Sequence, residues 1–322
     1  MTESATAPSP RKQLINIIKW TLCAAIVAWV GVVLYRQIRL IDWSNVHFHP
    51  LFVISAAIAI ALVTVTQFVA YRLLLSAYGP VPSWPATATL SWLPALGKYV
   101  PGKVVAISGT VYLLRKFKIP AAVALSVALL GDALAVLTGL IVGAPMLSWP
   151  AVREKLPGSW IACSVLIIGG TICLYPTVFA KLVNFALRKM KRQPITVAVD
   201  LRHYVLPLAA AFSQWLFWGI ALWLTTRAIT HVPLSTLSVC IFMIAMANTI
   251  GYLMLFSPGG IGVREAILYA GLHTMIDPKW SAVIVIALRL IQTVVEILLA
   301  GLAVWILRNL REESPAVEVE AV

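Results

Sequence analysis

"GKYVPGKVV", residues 97–105, decides how this chain is read. Its neighbours are apolar, yet Lys98 and Lys103 bracket a Pro101-Gly102 break. Proline lacks an amide hydrogen and glycine adopts strained conformations freely, so a continuous helix ends here. A second break, Pro258-Gly259-Gly260, lies in "FSPGGIGVRE" and is followed by Arg264 and Glu265. Both breaks sit in sequence that otherwise reads as hydrocarbon-soluble.

The surrounding composition fixes the solvent. Of 322 residues, 61% are hydrophobic and only 11% are charged, against about 25% charged in a soluble domain. The expected class is an all-α, polytopic membrane helical bundle. Lysine and arginine number 25 against 12 acids, a formal charge of +13. In a soluble chain that excess would suggest nucleic acid. Here it is assigned to loop orientation and contact with anionic headgroups, and no nucleic-acid partner is expected. Cys23, Cys163, Cys173 and Cys240 all lie in apolar runs without a CxxC pair. They read as small core residues, with no disulfide framework and no metal site.

Seven apolar runs are long enough to span: 15–35, 51–75, 121–143, 160–180, 205–226, 234–256 and 280–307. Shorter pieces at 84–97, 104–114 and 260–275 flank the two breaks. Residues 1–14 form a polar, disordered tail, residues 15–308 one transmembrane domain, and residues 309–322 an acidic tail. The first run is longer than a signal peptide's apolar region and is expected to be retained.

Cations sort the loops. Residues 181–204 hold Lys181, Arg188, Lys189, Lys191, Arg192 and Arg202, and residues 115–118 read RKFK. Both are expected on the cytoplasmic side, with both termini. That assignment is consistent only if 84–114 enters and leaves from the cytoplasmic side and 234–275 from the outer side. The expectation is therefore about six full spans plus two opposed re-entrant hairpins. A weak inverted repeat supports it. Each break is followed by a proline, Pro120 or Pro278, and then by a long helix carrying a charge, Asp132 or Arg289.

Irregular backbone at membrane depth is tolerated when it lines a polar cavity. Each break also starts a half-helix whose unpaired N–H groups attract anions. Lys98, Lys103, Arg264 and Arg289 are the expected headgroup-binding cations. Pro101, Gly102, Pro258, Gly259 and Gly260 shape the breaks. Asp132, Glu265 and Glu296 balance charge. Arg289 and Glu296 are seven residues apart and share a helix face. The bland alternatives are snorkelling lysines, a local Arg264-Glu265 surface pair, and structural salt bridges for Asp132, Arg289 and Glu296. Gly139 and Gly143 form a GxxxG, which points to close helix packing. Tryptophans such as Trp84, Trp149, Trp160 and Trp280 fall near run ends, as interfacial anchors do. Catalytic and ATP-binding motifs are absent, so neither an enzyme nor a cofactor is expected.

"LGKYVPGKV" (96–104) and "PGGIGVREAIL" (258–268) together resemble the paired signatures of the lysylphosphatidylglycerol synthase transmembrane, or flippase-like, family. The resemblance covers roughly residues 15–308. It implies a bacterial inner-membrane protein that translocates or binds a phospholipid, polyprenyl lipid or glycolipid. The synthase domain of two-domain members is not recognised, so aminoacyl transfer is not implied. One departure stands out. Members commonly carry Glu-Arg shortly before an aspartate in the helix after the first hairpin, whereas "SVALLGDALAV" (126–136) keeps only Asp132. Arg289, in "ALRLIQTVVEILLAGL" (287–302), fits the family's late-helix arginine. The expected function is a flippase for an anionic phosphate-bearing lipid. The alternative is a non-transporting accessory subunit of a lipid-modifying enzyme or glycosyltransferase, docked through 181–204.

Overall fold

A computed structural model describes residues 48–79, 81–95, 119, 121–155, 157–189, 201–254, 260 and 262–310. The tail 1–14, the run 15–35, Lys98, Pro101, Gly102, Lys103, the piece 104–114, Pro258, Gly259 and the tail beyond 310 lie outside the described residues.

Among the described residues every regular element is helical. These are α1 Pro50–Leu75, α2 Trp84–Ala95, α3 Ala121–Gly143, α4 Pro150–Lys155, α5 Ser159–Cys173, α6 Pro176–Lys189, α7 Leu206–Ile229, α8 Leu237–Leu253, α9 Val263–Leu272 and α10 Pro278–Leu310. Proline sits in the first turn of α1, α4, α6, α7 and α10. There its missing N–H leaves no hydrogen bond unmade and its fixed φ suits the helix.

Five of the described helical stretches are long and apolar enough to cross a membrane, or six if the bent pair α5–α6 counts as one. Their outer faces carry the side chains a lipid contact needs. Leu51, Ile54, Ile58 and Leu62 stripe α1. Ile161, Val165, Ile168 and Ile172 stripe α5. Leu290, Val294, Ile297 and Trp305 stripe α10, and all of these are exposed. In water such belts would be a large apolar patch, whereas in hydrocarbon they match their solvent. The chain is a multi-pass membrane protein.

The run expected as one span over 160–180 is different. The helix ends at Cys173, and α6 starts at Pro176 with its axis turned by 90°. Pro176 has no N–H for the continuing ladder and disfavours α conformation in the residue before it. The residues expected as a loop from 181 are therefore helical to Lys189.

Two contacts set the direction of α1 against α7. The His49 N–H donates to the Ala228 carbonyl at 3.0 Å near one end. Further along, the Gln67 amide donates to the Gln214 side-chain oxygen at 2.9 Å. The helices are antiparallel, and Ala59, Ile60 and Val63 join Trp218, Ala221 and Leu222 in one buried cluster. Helix α3 crosses α8 where its two GxxxG glycines lie. A Cβ on Gly139 would strike Thr249 and Trp215, and one on Gly143 would come within 2.7 Å of the Met246 backbone nitrogen. Beside this crossing the Trp215 indole donates to the Thr138 hydroxyl at 3.0 Å.

The two interrupted regions join the bundle from opposite ends. Arg72, in the last turn of α1, donates to the Pro82 carbonyl and to the Thr87 hydroxyl at 2.7 Å, and lies 4.3 Å from the Trp84 ring centroid. These contacts tie the start of α2 to the end of α1. Ile119, just before α3, falls in the same buried cluster as Leu74 and Leu75. The start of α2 and Ile119, which flank the first break, thus both lie at the end where α1 finishes. Helix α8 runs antiparallel to α3 and starts from the other end. Helix α9 folds back along α8, with Gly271 against Met243 and Gly260 against Gly251, and α10 begins where α9 returns.

We expect Arg72→Met to lower stability by about 1.5–3 kcal/mol, since hydrogen bonds from a charged donor carry that much. Thermal unfolding of the detergent-solubilised protein measures it. A melting temperature equal to wild type would show that α2 is held by other contacts.

Candidate functional site

In "GGIGVRE" (259–265) the described residues are Gly260 and Gly262 onward, and α9 starts at Val263. Gly260 and Gly262 have φ of +70° and +92°, a region that other L-residues rarely enter. Gly260 also packs on backbone, because a Cβ there would stand 3.1 Å from the Cα and carbonyl carbon of Gly251. Two glycines thus let α9 start against the last turn of α8 with nothing between them.

That start places Arg264 and Glu265 inward. Both are buried, at 5% and 8% relative exposure. The Gly262 N–H donates to the Glu265 carboxylate at 2.7 Å, so Glu265 reaches back to cap its own helix. At least one N–H of this helix start, expected to face a ligand anion, is thus already held by a carboxylate of the chain itself.

Helix α10 supplies the facing side chains. Arg289 lies 3.6 Å from the other oxygen of Glu265. The Arg264 guanidinium donates to the Gln292 side-chain oxygen, and the Gln292 amide donates to Glu296 at 2.6 Å. Gln292 and Glu296 are both buried. From α7, Trp218 offers its ring face to Arg264, with the guanidinium carbon 5.1 Å from the centroid. A cation over an indole face is attracted by the ring quadrupole, the more so away from water.

Among the described residues the result is a set of two arginines and two glutamates, formally neutral, in which Gln292 links Arg264 to Glu296 and Arg289 keeps 17% exposure. On α10 the glutamine is the fifteenth residue of 33. At about 1.5 Å per residue it lies roughly 21 Å from the start of the helix, near its middle. A single ion there would cost about 2.5–3.5 kcal/mol on insertion scales, so neutral grouping is what the solvent demands.

Asp132 occupies the middle of α3. It accepts a hydrogen bond from the Tyr252 hydroxyl, one residue from the Gly251–Gly260 contact. Of the cations that could pair with Asp132, Lys98 and Lys103 lie outside the described residues. Helices α2 and α9, the described arms beside the two breaks, both pack on α10.

Of the expected site residues, the structure brings together Gly260, Arg264, Glu265, Arg289 and Glu296, with Asp132 joined at the turn through Tyr252. It adds Gln292, Trp218 and Tyr252. Gln292 had a signal in the sequence: it is the one amide between Arg289 and Glu296, three residues after the first and four before the second. Trp218 had none, being one of twelve tryptophans and 46 residues before Arg264.

A family model described as the lysylphosphatidylglycerol synthase TM region matches residues 16–300. No curated protein matches the chain.

Proposed function

The chain belongs to the lysylphosphatidylglycerol synthase transmembrane family by its match over residues 16–300, and from that membership we propose that it is a flippase. It binds an anionic, phosphate-bearing lipid and moves it between leaflets. The observation that carries this reading is the buried Arg264–Gln292–Glu296 chain with the partly buried Arg289–Glu265 pair, halfway along a spanning helix beside a glycine turn. A purely structural ion pair needs no such turn. A headgroup phosphate does, because glycine lets it approach the backbone.

In this reading Glu265 is a stand-in anion. It holds the helix start and lies opposite Arg289, and the phosphate exchanges with it. Lys98 and Lys103, at the tip of the first hairpin, add cations from the opposite side. Both breaks then act as re-entrant hairpins, with the termini and 181–204 on the cytoplasmic side of a bacterial inner membrane. The chain carries lipid without altering it. The matched region is a membrane region, and the sequence offers no nucleophile or metal set beside its acids.

Transport is tested in liposomes with a labelled phosphatidylglycerol, by following its accessibility from outside. The Lys103→Ala plus Arg289→Ala variant is expected to slow translocation by on the order of 10- to 100-fold, the loss of charged hydrogen bonds worth about 1.5–3 kcal/mol. Translocation at the wild-type rate in that variant would remove the proposal. Co-purification with a lipid-modifying enzyme, together with no transport by the chain alone, would favour the accessory-subunit reading.

A further inference from the structure

Helix α6, Pro176–Lys189, belongs to neither interrupted region, and its three faces differ. Phe179, Val183 and Leu187, at four-residue spacing, are buried at 1%, 6% and 1% exposure. The Phe179 ring meets Tyr204 edge-on at 5.8 Å, and the Tyr204 hydroxyl donates to the Leu174 carbonyl at the bend. This face is clamped to the bundle.

A second face carries Lys181 and Arg188, seven residues apart and both exposed. The third carries Val178, Leu182 and Phe185, with Lys189 at its end. Phe185 is 65% exposed and Leu182 44%, and Tyr175 at the bend is 63% exposed. Water alone would leave this apolar face bare. Hydrocarbon alone would bury the cations. Only the boundary between them suits both faces at once. The 90° turn gives the same answer, because α5 packs against the spanning α3, with Gly170 on Ile141, and a helix turned crosswise to α5 runs along the membrane plane.

We propose that α6 lies in the headgroup layer and gathers anionic lipids. Leu182 and Phe185 enter the acyl boundary, and Lys181, Arg188 and Lys189 contact headgroup phosphates. The occupant is an anionic lipid surface and not a soluble protein. A protein-docking face would not need exposed phenylalanine and leucine on the far side of its cations from the bundle contact. The inference does not depend on transport.

The test uses the full chain in vesicles of phosphatidylcholine with a minority of phosphatidylglycerol. A fluorophore on Phe185→Cys, in a background with the native cysteines replaced, is expected to be quenched by nitroxide lipids and spared by aqueous iodide. Spin-labelled phosphatidylglycerol is expected to be immobilised by the protein in preference to spin-labelled phosphatidylcholine. Each cation removed should weaken that preference by up to about fivefold, and high salt should erode it. The K181E/R188E/K189E variant is expected to abolish it. Because all three side chains are exposed, the variant should melt with the wild type; should it not fold, the Phe185→Cys quenching in the otherwise unaltered chain decides. Quenching by iodide instead of lipid would overturn the proposal and identify a face for a soluble partner. Lack of preference for phosphatidylglycerol, or a preference unchanged in the charge-reversed variant, would overturn it equally.

Discussion

Arg264→Met is expected to cripple the fold, lowering stability by about 3–5 kcal/mol, the range for removing one partner from a buried ionic group. Arg264 is 5% exposed, lies over Trp218 and donates to Gln292, which in turn donates to Glu296. With it gone, the described residues of the cluster hold two buried glutamates against one arginine, Arg289. Methionine fills much of the volume, so the loss reads electrostatics and hydrogen bonding more than a cavity. The companion variant Arg264→Met plus Glu296→Gln restores neutrality and is expected to recover a large part of the loss. Arg264→Lys should recover little, because an ammonium cannot stack on the indole and bridge to Gln292 as a planar guanidinium does. Thermal unfolding of purified protein in one detergent measures all three. If the double variant is no more stable than the single one, charge balance is not what the cluster provides.

The other large effect concerns the helix crossing. Gly143→Leu is expected to yield no properly folded protein. A Cβ at that position already falls 2.7 Å from the Met246 nitrogen and 2.9 Å from its Cα. Those atoms belong to the rigid body of α8, so no rotamer change relieves them and the helices must part. Even Gly143→Ala should cost about 1–3 kcal/mol, the usual range for overpacking. Gly301→Leu is the control. It lies on an exposed stretch of α10 with nothing within 4 Å of a Cβ, and it should melt with the wild type. Fluorescence-detected gel filtration of the three variants distinguishes the outcomes. A monodisperse Gly143→Leu peak with wild-type melting would show that α3 and α8 are not in contact here.

The sequence made the helices readable because the bilayer makes one demand on all of them. Long apolar runs at 51–75, 121–143, 205–226 and 280–307 became α1, α3, α7 and α10 within a few residues. Gly139 and Gly143 announced a close crossing, and α8 is what crosses there. The spacing of Arg289 and Glu296 put them on one face, where Arg289 meets Glu265 and Glu296 meets Gln292. What stayed hidden depends on partners distant in the chain. Nothing near Arg264 says that Trp218 will cover it, and nothing near Asp132 points to Tyr252. The bend before Pro176 was missed for another reason. Proline is tolerated inside membrane helices, so an apolar run through it reads equally well as straight or broken.

The rod that carries the buried glutamine is 33 residues long, about 50 Å at 1.5 Å per residue, where the hydrocarbon slab is about 30 Å thick. Such a rod must lean, project beyond the slab, or both, and its lean shifts as the slab thins or thickens. Acyl-chain length, and not headgroup chemistry alone, therefore sets how deep its midpoint lies.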